Sequence, residues 1–171
     1  TYSVSIAQTT NGLVTPDVTS SVAGETVTLA ITPSDGFELN AIKAYKTGET
    51  ATVVTLFGTG NARIFTMPAY PVTVSATFKK TQATLDAEAV TTAKELIENG
   101  QFSFNQVDGN TEAVIKQQLA DKINALPGMS GTGITVSAND IAINAFSAAV
   151  AGTSGNPNGT NGSFSFTVDL E

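Results

Sequence analysis

The sequence predicts two small domains, an all-β unit over residues 1–80 and an α+β unit over residues 81–171 in which two helices pack on a small antiparallel sheet. Three observations predict it. Apolar residues recur every second position up to Phe78 and then at helical spacing from Leu85 onward. Lys43, Lys46, Arg63, Lys79 and Lys80 balance Asp17, Glu25, Asp35, Glu38 and Glu49 in the first half, so the whole formal charge of −7 falls in the second. Turn residues also punctuate the first half at short, regular intervals, as a small sheet or sandwich-like domain requires.

The elements follow in order. Tyr2–Ile6 alternates and is followed by Asn11-Gly12, a strong hairpin dipeptide. Thr26–Thr32 places Val27, Leu29 and Ile31 on one face and stops at Pro33, which has no N–H to give to a ladder. After the Asp35-Gly36 turn, Phe37, Leu39 and Ile42 break strict alternation, which a bulge near Asn40-Ala41 explains in a strand over about 38–46. Residues 51–56 and 62–66 are two more short strands. Val72, Val74, Ala76 and Phe78 form the inward face of a sixth.

Beyond Lys80, Thr84 is a candidate N-cap with Asp86 and Glu88 in the first turn of a helix that ends at Asn99-Gly100. Its apolar face is Leu85, Ala89, Val90, Ala93, Leu96 and Ile97. A short strand is expected over 101–107, then Asp108-Gly109 turns into a second helix capped by Asn110 or Thr111, with the stripe Ile115, Leu119, Ile123 and Leu126 and an end at Pro127-Gly128. Residues 133–137 and 141–150 are expected as strands, the second against an Ala-rich helical propensity. Residues 152–162 are loop, and Phe164, Phe166 and Val168 alternate as a closing strand.

Composition narrows the chemistry. The chain has no Cys and no His, which excludes disulfides, thiolate nucleophiles, imidazole bases and Cys/His zinc sites. An acidic chain with 8 basic residues is a poor match for nucleic acid or for an anionic membrane, and no apolar run reaches membrane-spanning length. It does not begin with Met and shows no signal segment, and it is expected to be part of something longer.

The first 80 residues resemble the divergent internalin-B-type B-repeat of bacterial surface proteins. The resemblance rests on Tyr2-Ser-Val-Ser-Ile, Asn11-Gly12, Ala23-Gly-Glu-Thr-Val-Thr-Leu29, Pro33-Ser-Asp-Gly-Phe-Glu-Leu39, Phe65-Thr-Met-Pro68 and Val72-Thr-Val-Ser-Ala-Thr-Phe78. Lys46 to Asn61 fits the pattern least well. The second half, with Leu85-Asp-Ala-Glu-Ala-Val90, Ile123-Asn-Ala-Leu-Pro-Gly128 and Ala151-Gly-Thr-Ser-Gly155, looks like the modules that follow such repeats in secreted bacterial proteins. The resemblance implies an exported, extracellular, non-enzymatic spacer or adhesive segment without a cofactor. Its implied partners are neighbouring repeats, or a host or cell-wall protein or glycan.

Candidate sites are correspondingly few. Asp86 with Glu88, and Glu95 with Glu98, are the closest carboxylate pairs, but acids near a helix start or on its polar face have a structural explanation. Asn156, Asn158 and Asn161 in the 155–162 loop offer amide oxygens of a kind Ca²⁺ accepts, yet no carboxylate accompanies them, and a surface turn explains the same composition. With Trp absent, Tyr45 and Tyr70 are the aromatic candidates for a glycan platform. Lys43 is the lysine best placed for a Lys–Asn crosslink, which requires burial.

Overall fold

A computed structural model describes residues 1–103, 111–147 and 162–170. The chain divides into two compact units, Thr1–Leu85 and Asp86–Glu171.

The first unit contains β1 (Tyr2–Ile6), β2 (Gly12–Pro16), β3 (Ser20–Ser21), β4 (Thr26–Pro33), β5 (Phe37–Lys46), β6 (Glu49–Val54), β7 (Ala62–Thr66) and β8 (Val72–Lys80). They form a five-stranded sheet of order β3-β1-β8-β5-β6 and a three-stranded sheet of order β2-β4-β7. The pairings are antiparallel except β1 with β8, the first and last strands, which run parallel from Val4↔Val72 to Ile6↔Val74. Both sheets contribute to one core: Val4, Ala44, Val54, Val72 and Val74 from the larger, Val14, Val27, Leu29, Ile31 and Phe65 from the smaller, with Met67 beside them. Alternation makes this possible, because each strand turns every second side chain to the same side.

Six strands were expected and eight are present. β2 escapes the sequence pattern because it opens on Gly12, closes on Pro16 and buries only Val14. β3 is two residues long. Their presence changes the meaning of Asn11-Gly12. Asn11 has φ 63°, a left-handed turn conformation, but β1 pairs with β3 and β8 while β2 pairs with β4, so the turn carries the chain from one sheet to the other and closes no hairpin. The bulge in β5 is where alternation breaks: Leu39 pairs with Phe78 and Ala41 with Thr77, leaving Asn40 as the extra residue, with its Nδ2 donating to Thr77 Oγ1 at 3.2 Å.

One residue, Thr81, separates β8 from the helix α1 (Gln82–Glu98). Thr81 caps it, with Oγ1 accepting from the Thr84 N–H at 3.3 Å and the carbonyl accepting from the Leu85 N–H at 3.1 Å. The cap therefore lies three residues before the expected Thr84, and Asp86 and Glu88 fall beyond the first turn. Thr84 is used differently: its hydroxyl donates to the Gly36 carbonyl at 3.0 Å, which also accepts from the Thr81 N–H at 2.8 Å. Gly36 has φ +77°, and an added Cβ would stand 2.7 Å from Thr84 Oγ1. Gly36→Ala is accordingly expected to cost at least about 1–2 kcal/mol, the penalty of a left-handed Cβ alone, read as a lowered urea midpoint at unchanged slope.

The second unit holds the rest of α1, α2 (Glu112–Asn124), two 3₁₀ turns at Met129–Thr132 and Ala138–Asp140, and an antiparallel pair β9 (Ile141–Ser147) and β10 (Ser163–Val168). Thr111 caps α2, accepting from the Val114 N–H, and Ile115, Leu119, Ala120 and Ile123 are buried along its stripe. Glu112, exposed, and Lys116, half-buried, meet at 2.9 Å, an i,i+4 helix pair worth about 0.3–0.5 kcal/mol. Ala93 of α1, Leu119, Ala120, Ile123, Met129, Val136 and Ile141 form the core, with Phe164, Phe166 and Val168 packed against it. Phe166 meets Phe102 edge-on at 5.6 Å.

The Ala-rich segment is a strand over Ile141–Ser147, while 148–150 lie outside the described residues. Two other strand expectations do not hold where they can be followed. Residues 101–103 are not strand, and 104–110 lie outside the described residues. Residues 133–137 are not strand either. Gly133 is left-handed at φ 73°, and the side chain of Asn124 takes the place of a partner strand, its Nδ2 donating to the Val136 carbonyl at 2.8 Å and its Oδ1 accepting from the Val136 N–H at 2.9 Å.

Candidate functional site

Tyr45 lies in β5 between Ala44, which is fully buried, and Lys46. Alternation turns its half-buried ring to the outer face of the five-stranded sheet, in register with Thr73 of β8 and Val53 of β6. Lys43, opposite Ser75 on the same face, is exposed, which removes the buried lysine that a Lys–Asn crosslink would require. Glu38 and Lys79 add an ion pair of 3.0 Å. Hydroxyls fill much of the remainder, including the Thr47–Thr73 hydrogen bond of 2.9 Å.

Tyr70 follows β7 and packs, half-buried, against the core of the first unit. The ammonium of Lys46 stands 5.8 Å from its ring centroid and 2.6 Å from the Glu49 carboxylate. The hydrogen bond from Lys46, and then its charge, hold the Glu49 carboxyl below the usual range. Tyr45 thus faces outward and Tyr70 toward the core. Asn156, Asn158 and Asn161 lie outside the described residues.

The aromatic side chain that the strand pattern did not single out is Phe57, 57% exposed. It bonds Ile64 of β7 through both backbone groups, N–H to carbonyl at 2.8 and 2.9 Å, and so adds one residue to the edge of the three-stranded sheet. A signal for it was present. Leu56 and Phe57 are consecutive, and in extended chain two neighbours cannot both face inward; Leu56 packs against the core, which leaves Phe57 outside.

In the second unit Thr92, Glu95, Leu96, Asn99, Leu126 and Pro127 border an open groove of about 340 Å³. Two of its polar side chains are engaged along their own helix: the Thr92 hydroxyl donates to the Glu88 carbonyl and Asn99 Nδ2 to the Glu95 carbonyl. Glu98 lies 3.8 Å from Lys94. Among the described residues no cluster of three acidic, His or Cys side chains could hold a metal, and no helix is long and apolar enough to cross a membrane.

The model of one protein family, the divergent InlB B-repeat domain, matches residues 2–82. No curated protein and no solved structure gave a match in the same comparisons. The match covers the eight strands of the two sheets and ends at the first residue of α1. Residues 2–82 of the 171-residue chain are thus similar to the divergent InlB B-repeat domain.

Proposed function

We propose that this chain is a non-enzymatic structural and interaction segment of an exported bacterial surface protein, in which the repeat domain and the α+β unit extend the molecule and present its faces to partners outside the cell. The observation that carries the reading is the family match over residues 2–82, a repeat type of bacterial surface proteins. The chemistry of the chain agrees with it. Without His or Cys, proton transfer and nucleophilic attack would fall to carboxylates, hydroxyls and lysines. Glu95 and Glu98, the closest carboxylate pair on α1 after Asp86 and Glu88, are both exposed to water. The hydroxyl-rich sheet surface is what a solvated spacer needs to remain folded with few charges.

Display is testable directly. Antibodies raised against residues 1–85 are expected to label intact cells of the parent bacterium as strongly as permeabilised ones. Labelling that appears only after permeabilisation would contradict export.

A further inference from the structure

Strand pairing in the first unit sets its first and last strands side by side. β1 and β8 are neighbours inside the five-stranded sheet and run parallel, with Val4 opposite Val72, Ser5 opposite Thr73 and Ile6 opposite Val74. Ala7 extends this ladder, its N–H donating to the Val74 carbonyl at 2.8 Å. Each strand is also held on its other edge. β5 accompanies β8 from Phe37↔Lys80 to Lys46↔Val72. Beside β1, Ser20 and Ser21 of β3 pair with Ser3 and Tyr2, and the Val4 N–H donates to the Thr19 carbonyl at 2.8 Å. The core side of the ladder is shut off from water, since Val72 and Val74 are fully buried and Val4 is 6% exposed.

We propose that the β1–β8 ladder is a mechanical lock, by which this unit resists tension applied along the chain. Such tension reaches the unit through the N-terminal end of β1 and the C-terminal end of β8. Because the two strands are parallel, these points lie at opposite ends of the ladder, and pulling on them slides one strand along the other. Sliding strains all the hydrogen bonds of the ladder together, whereas a pull across the strands breaks them one after another. Antiparallel first and last strands would bring both points to the same end and be peeled apart. Burial of Val4, Val72 and Val74 keeps water from replacing a bond as it stretches, which raises the barrier that forced unfolding has to cross. Beyond β8 the Thr81 N–H donates to the Gly36 carbonyl at 2.8 Å, so a pull on the start of α1 is shared with the chain that leads into β5. The use of such a lock by a displayed segment rests on the surface-protein reading, while the resistance itself follows from the topology.

Single-molecule pulling on the whole chain tests the proposal. The sequence has no Cys, so introduced cysteines give unique attachment points, and Thr1, Ala69 and Ala83 are exposed. Thr1→Cys with Ala83→Cys pulls β1 and β8 lengthwise in opposite directions and leaves the second half out of the force path. Thr1→Cys with Ala69→Cys pulls across them, because Ala69 stands three positions before Val72 as Thr1 stands three before Val4. At equal loading rate the lengthwise pull is expected to need at least about twice the force of the crosswise one, since several bonds share the load. Ala7→Pro, which deletes the N–H given to Val74, should lower the lengthwise force and leave the crosswise one, which begins at the other end of the ladder, unchanged. Urea unfolding of the cysteine variants should match wild type, so that a difference between the two pulls reports direction and not stability. Equal forces in the two directions overturn the proposal, as does an Ala7→Pro chain that resists the lengthwise pull like wild type. The comparison of directions needs no destabilised variant. Unfolding force does not depend on where the protein is displayed, so failure of the cell-labelling experiment would leave this result standing.

Discussion

Replacing Phe65 by alanine is expected to destabilise the repeat domain by about 3–5 kcal/mol, a large part of the total stability of a domain this size. Phe65 is 1% exposed and pairs across β7 and β4 with Val27, which is fully buried. Its ring lies in the core to which both sheets contribute, so truncation removes contacts from residues of β4 and from the facing sheet together. The surroundings cannot collapse into the space without moving strands that are hydrogen-bonded on either side, and the cavity term adds to the lost transfer energy. The comparison that makes this specific is Phe57→Ala. Phe57 is also an aromatic residue beside β7, but it is 57% exposed and should cost within about 0.5 kcal/mol. Urea unfolding of the two variants should therefore separate clearly. Equal losses would mean that the inward and outward faces of the small sheet have been assigned wrongly.

The second large effect is expected at Asn124. Its amide satisfies both backbone groups of Val136, a residue 3% exposed. Alanine removes both bonds and leaves a buried N–H and a buried carbonyl unpaired, at a cost of about 2–4 kcal/mol. Aspartate keeps one bond and adds a repulsion, since a carboxylate accepts from the Val136 N–H but sets an oxygen against its carbonyl where the amide had a donor. Both variants should lose stability, and the Val136 N–H should stay slow to exchange in the aspartate variant and become fast in the alanine one. If both variants unfold at the wild-type midpoint, the clamp contributes nothing.

These two positions differ in how visible they were beforehand. Phe65 belongs to a strand whose alternation is plain in Ala62-Arg-Ile-Phe-Thr66, and its inward direction follows from period two. Asn124 carries no such mark. It looks like an ordinary polar residue at the end of an amphipathic helix, and its partner lies twelve residues on in a segment that resembled a strand. The pairing it provides is that of a strand, made by a side chain instead of a backbone. Among the candidate surface residues the same division holds. Tyr45 sits in a regular strand, so its outward direction could be read from the buried Ala44 beside it. Tyr70 lies between strands, where no period applies, and only packing turns it toward the core.

The bulge near Asn40-Ala41, the stripe of α2, a cap at Asn110 or Thr111 and the alternation of β10 were all legible in the sequence itself, because each depends on neighbours within about four residues along the chain; the structure chose Asn40 and Thr111. Tertiary structure decided which strands pair. Nothing local distinguishes an Asn-Gly turn that closes a hairpin from one that crosses between sheets, and the parallel pairing of β1 with β8 joins residues nearly seventy positions apart. It also moved the start of α1 from Thr84 to Thr81, because the Gly36 carbonyl, brought alongside by β5, takes hydrogen bonds from both threonines. The two-domain composition, the absence of His and Cys and the inward half of nearly every strand are properties of the chain read in order. The outer face around Ile64 and Phe57 exists only once distant strands lie side by side, since its residues come from four separate stretches of sequence that no local pattern joins.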